Sequence, residues 1–129
     1  MIAMPIVWIA PAIPRGGGKL RALRAAGFIP VAAESVEDAL HLLRQFRAVV
    51  VVHASKDRGW QDCARLLATG SPVAVLVDPI RPEVTQRYLN AGCAAVIDAR
   101  CPPDQLITAL MHVARVSRSR RTAARGDTQ

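Results

Sequence analysis

The sequence predicts an α/β domain in which one parallel sheet carries helices on both faces. Ala48-Val49-Val50-Val51-Val52-His53 is an uninterrupted β-branched run. It reads as a strand buried on both faces, because in a one-sided sheet alternate valines would lie in water. Five short apolar runs alternate with five stretches of helical periodicity, and connections this short make right-handed parallel crossovers the economical topology. One run, Phe28-Ile29-Pro30-Val31-Ala32, contains a proline, which lacks the N–H that a central strand donates, so it belongs at a sheet edge.

Each element follows in order. Ile6 to Ala10 is a first buried strand, closed by the turn formers Pro11 and Pro14. Lys19 to Ala26 is a short helix with Leu20, Leu23 and Ala26 inward, stopped by Gly27. After the proline strand, Ser35 caps a second helix with Asp38 three residues on, and Val36, Ala39, Leu40 and Leu43 form its apolar stripe. The valine strand comes next. Trp60, Cys63, Ala64 and Leu67 are spaced as the inner face of a third helix, ended at Gly70. Pro72 to Val77 is a fourth strand. Pro82 and Glu83 open a fourth helix with Val84, Tyr88 and Leu89 inward and Gly92 as its stop. Ala94 to Ala99 is the fifth strand, and Pro102, Pro103 and Asp104 start a last helix that runs to about Arg115. With the proline strand at an edge and the valine strand central, the order 2-1-3-4-5 fits best, which is the flavodoxin-like (βα)5 doubly wound sheet.

Composition bounds the function. A chain of 129 residues, 51% hydrophobic and 4% aromatic, fits one domain with an aliphatic core. The apolar Met1–Pro14 stretch has no basic lead, holds internal prolines and is too short to span a bilayer, so the expectation is a cytoplasmic protein with no membrane role. Cys63, Cys93 and Cys101 are odd in number and lack metal-ligand spacing, which argues against a disulfide framework or a zinc site. The net charge is +7, yet residues 115 to 129 hold five arginines against one aspartate. The basic character is therefore mostly that of the C-terminal segment. The expected organisation is a domain at 1–115 and a basic flexible tail or linker at 116–129.

Two segments resemble the receiver domain of response regulators. Ala26-Gly27-Phe28-Ile29-Pro30-Val31-Ala32-Ala33-Glu34-Ser35-Val36-Glu37-Asp38-Ala39-Leu40 is similar to that family's glycine–aromatic–strand segment followed by a capped helix, and Leu89-Asn90-Ala91-Gly92-Cys93 to its turn before the fifth strand. The resemblance covers nearly all of residues 5 to 115 and implies the CheY-like fold. It also implies where chemistry would lie: an acidic pair after the first strand for Mg²⁺, an Asp nucleophile after the third, a Thr or Ser ending the fourth and a Lys ending the fifth. Octahedral Mg²⁺ needs carboxylate oxygens, and the cation offsets charge as a phosphoryl group moves onto another carboxylate. In this chain those positions match Ala10 and Pro11, then Val52 or His53 depending on one residue of register, then Val77 and Ala99. None offers the required group. The resemblance thus implies a degenerate receiver without metal, cofactor or catalysis. Its setting would be the regulatory part of a bacterial two-component transcriptional regulator, with a DNA-binding effector domain beyond residue 129.

Other residues carry weaker signals. His53 reads as a solvent-facing strand-end histidine, with a phosphoryl acceptor or pH sensor as the alternative. Asp57, Asp78 and Asp98 follow strands three, four and five, where turn-capping is the ordinary role and a substitute cation site the sharper one. Arg15-Gly16-Gly17-Gly18-Lys19 resembles a phosphate-cradling loop but has Leu20 where Ser or Thr would follow the lysine; a flexible loop is the plain reading and a small phosphorylated ligand the alternative. On the last helix, Leu106, Ala109, Leu110 and Val113 suffice for packing, so Ile107, Met111 and Ala114, with Arg87 and Tyr88 of the fourth helix, form a candidate face for a homodimer or partner protein. Arg118, Arg120, Arg121 and Arg125 could neutralise nucleic-acid phosphates, but no aromatic residue stands among them for base stacking.

Overall fold

A computed structural model describes residues 4–9, 18–54 and 59–127, with backbone alone at 59–60 and 117–127. Its element order is β1 (Met4–Ile9), α1 (Lys19–Ala25), β2 (Phe28–Ala33), α2 (Val36–Leu43), β3 (Val49–His53), α3 (Gly59–Leu67), β4 (Val73–Val77), α4 (Pro82–Ala91), β5 (Ala95–Asp98) and α5 (Pro103–Asp127). The five strands form one parallel sheet in the order β2-β1-β3-β4-β5. Pro30 pairs opposite Ile6 in the edge strand, as its missing donor requires.

Alternation along the strands divides the core into two layers. Ile6, Trp8, Val49, Val51, Ala74, Leu76 and Ile97 pack against Leu23 of α1 and Leu106, Leu110 and Val113 of α5. On the opposite face Val7, Ile9, Val50, Val52, Val73, Val75 and Val77 meet Val36 and Ala39 of α2, Cys63 and Leu66 of α3 and Tyr88 of α4. All four valines of β3 are buried, so the strand that organises the sheet is covered on both sides.

Local signals produce the expected ends. The Ser35 hydroxyl accepts from the Asp38 N–H at 3.1 Å, and the Asp38 carboxylate accepts from the Glu34 N–H at 3.1 Å, one residue earlier than in a standard capping box. Gly92 ends α4 at φ +109°, a conformation that L side chains rarely adopt, while the Cys93 N–H bonds the Tyr88 carbonyl to close the turn.

Three helices differ from expectation. In α3, Leu66 is fully buried and Ala64 is exposed, so the helix turns Cys63 and Leu66 inward; a leucine has more apolar surface to hide than an alanine, and that decides the phase. In α4, Tyr88 is buried and Leu89 is 42% exposed, which takes Tyr88 out of the candidate contact face. The helix α5 continues to Asp127 instead of ending near Arg115, so the 116–127 part of the expected flexible tail is helical. Residues 115 to 125 contain no Gly or Pro and are rich in Arg and Ala, good helix formers. Val113 and Ala114 are buried, and Arg115 and Val116 are exposed. Among the described residues no helix is long and apolar enough to cross a membrane.

Candidate functional site

The place to look is the C-terminal edge of β3, β4 and β5, where ligands bind in open α/β sheets. Val52 is 3% exposed and sits in the cluster with Ile9, Val50, Val75 and Val77, while His53 alternates toward the other face and is half-buried. The ladder ends one residue later, with the Ala54 N–H donating to the Leu76 carbonyl at 2.8 Å. Val77, at the end of β4, is also 3% exposed. Among the described residues at this edge, Val52 and Val77 present buried aliphatic side chains.

The neighbouring contacts stitch the edge together. The Ala99 N–H donates to the Val77 carbonyl at 2.8 Å, and the Lys19 ammonium donates to the Ala99 carbonyl at 2.9 Å. A cation therefore does stand at the end of β5, but it arrives from the first residue of α1, not from position 99. Gly18, at φ +74°, delivers Lys19 into the helix without a side-chain cap. Beyond Ala99, the Arg100 guanidinium bonds the Asp78 carboxylate at 3.1 Å, and the Arg100 N–H bonds the Asp98 carboxylate at 2.9 Å. Both loops leaving β4 and β5 are joined across Val77 and Ala99. With Arg100 80% exposed, this pair serves geometry more than stability.

Replacing Lys19 with Met will remove a charged donor from a partly buried carbonyl. A loss of about 1–2 kcal/mol is expected in chemical denaturation, the lower end reflecting partial solvation, and an unchanged midpoint would mean the contact contributes nothing.

Several expected site residues lie outside the described residues: Ala10, Pro11, Arg15, Gly16, Gly17 and Asp57. Among the described residues no three His, Cys, Asp or Glu side chains are grouped to hold a metal; the Asp78 carboxylate accepts from the Arg100 guanidinium and the Asp98 carboxylate from the Arg100 N–H. Of the candidate contact face, Met111 is 42% exposed and Arg87 is exposed, Ile107 is half-buried, and Tyr88 and Ala114 are buried. Ala114 was expected outward, but the α1/α5 layer extends to it. The arginines 118, 120, 121 and 125 lie on the helical backbone of α5. Clefts also lie elsewhere among the described residues. One of about 350 Å³ opens beside Arg47, Thr69 and Ser71 at the opposite end of the sheet, and a shallow one of about 430 Å³ runs along α4 by Arg87 and Asn90.

No protein-family model matches the chain, and no curated protein matches it. Solved structures do. A response regulator from Thermotoga maritima superposes with a TM-score of 0.73 at 19% identity, over 85% of this chain and 97% of the other. The chemotaxis response regulator CheY4 of Vibrio cholerae gives 0.72 at 18%, over 87% and 99%. A CheY-like receiver domain protein from Methanospirillum hungatei gives 0.73 at 15%, over 92% and 99%. At such identities the likeness is one of architecture. The chain has the flavodoxin-like, CheY-like receiver fold.

Proposed function

We propose that this chain is a non-catalytic pseudo-receiver, a cytoplasmic signalling domain that works by protein contact and independently of phosphorylation. One observation carries the reading: a receiver fold whose strand ends at the expected site are occupied by buried Val52 and Val77, with Ala99 where a lysine is expected. The Lys19 ammonium is taken up by the Ala99 carbonyl, which favours this reading over a phosphate-binding role for that lysine. The setting is the regulatory half of a bacterial two-component transcriptional regulator. Its state follows from a partner or its own concentration, as any equilibrium biased by differential binding does. The contact surface is the α4–β5–α5 side, with Met111, Leu89 and Arg87 as its exposed members.

The test incubates the purified chain with acetyl phosphate and Mg²⁺ and reads it by intact mass and sedimentation velocity. The expected result is no added phosphoryl group, and the same concentration-dependent self-association with and without the reagents. A stable phosphoryl adduct overturns the pseudo-receiver reading. A monomer at every concentration removes the homodimer and leaves a partner protein as the occupant of that face.

A further inference from the structure

Beyond the buried Ala114, the backbone of α5 stays helical to Asp127. Residues 115 to 126 of that stretch include five arginines and no acidic residue. On a helix turning about 100° per residue, positions 115, 118, 121 and 125 fall within an arc of about 120°, and position 120 lies on the other side. Four cationic positions thus form a stripe about 15 Å long, spaced about 4.5 to 6 Å apart along the axis. Arg115, where the stripe begins, is exposed.

We propose that this stripe, Arg115, Arg118, Arg121 and Arg125, is a binding surface for the phosphate backbone of double-stranded DNA, used without regard to base sequence. Like charges three and four residues apart on one helix face repel each other, and a polyanion laid along them turns that repulsion into attraction. Duplex DNA offers one negative charge per about 1.7 Å of its axis, and the guanidinium fork matches a phosphate with two parallel hydrogen bonds. The major groove of B-form DNA, about 12 Å wide, admits a helix. Contacts to phosphate position a protein and carry no sequence information directly.

The residues favour this occupant over others. Positions 118, 121 and 125 continue the alternating four- and three-residue spacing of Ile107, Met111 and Ala114, so a second copy paired along that row would set arginine against arginine. Val116 is the one large apolar residue in 115–127, which leaves no apolar face to sink into a bilayer. The same segment has no Phe, Tyr or Trp on which the bases of a single strand could stack. Double-stranded RNA has a deep, narrow major groove that side chains do not enter.

This surface goes beyond the protein-contact reading and is tested without it. The full chain is titrated onto two labelled duplexes of unrelated sequence, each about 30 base pairs, and read by fluorescence anisotropy between about 50 and 200 mM salt. Equal affinity for both duplexes is expected, with a slope of log affinity against log salt near −3.6, a loss of about 150-fold across that range, as four neutralised phosphates require. The triple variant Arg118→Gln, Arg121→Gln, Arg125→Gln should bring the slope to about −1, and Arg120→Gln should leave it near −3.6. Gln is close to Arg in helix propensity, and far-ultraviolet circular dichroism checks that the variants keep the fold. Phosphatidylserine vesicles should bind the chain more weakly than the duplexes do. No binding to either duplex at the lowest salt, a tenfold preference for one sequence, a slope unmoved by the triple substitution, an equal loss from Arg120→Gln alone, or tighter binding to the vesicles would each overturn the proposal.

Discussion

Val52→Asp will destabilise the domain by about 3–5 kcal/mol at neutral pH and will not create a phosphorylation site. Val52 is 3% exposed among Ile9, Val50, Val75 and Val77, so the new carboxylate would enter an aliphatic layer. An unpaired buried charge is among the few single changes that cost this much. The loss should shrink in acid. Burial raises the folded-state pKa of the new Asp above its unfolded value, so the folded state holds the extra proton more tightly, and stability is regained as pH falls toward and below the raised pKa. Denaturant midpoints measured at pH 7 and pH 5 decide the matter. A variant as stable as the parent at pH 7 would mean the strand end is open to solvent, and the pseudo-receiver reading would lose its main support.

Leu66→Ala should cost about 2–5 kcal/mol, whereas Ala64→Ser should change stability by less than about 0.5 kcal/mol. Leu66 is fully buried between α3 and the sheet, so its truncation leaves a cavity as well as losing transfer free energy. Ala64 faces outward on the same helix. The two variants, compared by urea denaturation with the slope checked for constancy, report the rotational phase of α3 directly. Equal effects at both positions would contradict the packing.

The strength of local signals explains what was legible beforehand. The valine run, the proline in β2, the Ser35 cap and the Gly92 stop each state a physical requirement within a few residues, and the strand order follows from them. The phase of α3 was not legible, because Ala64 and Leu67 satisfy the helical spacing as well as Leu66 does, and only the depth of the sheet beneath decides between them. At the candidate site the identities of Val52, His53, Val77 and Ala99 could be read directly from the sequence. The Lys19–Ala99 contact spans 80 positions, and the Arg100–Asp78 pair 22, so no window of sequence announces either.

The helix α5 has 25 residues, and Ala114 is the last buried one among its described side chains. At about 1.5 Å per residue its backbone reaches roughly 20 Å further. Such an extension has a direction fixed by the core and a rotational phase fixed by its residue count. Deleting one residue between Val116 and Asp127 would turn whatever is docked on or joined to the far end by about 100° and draw it back about 1.5 Å, while deleting seven would leave its bearing within about 20°. Along this segment the number of residues would carry as much information as their identity.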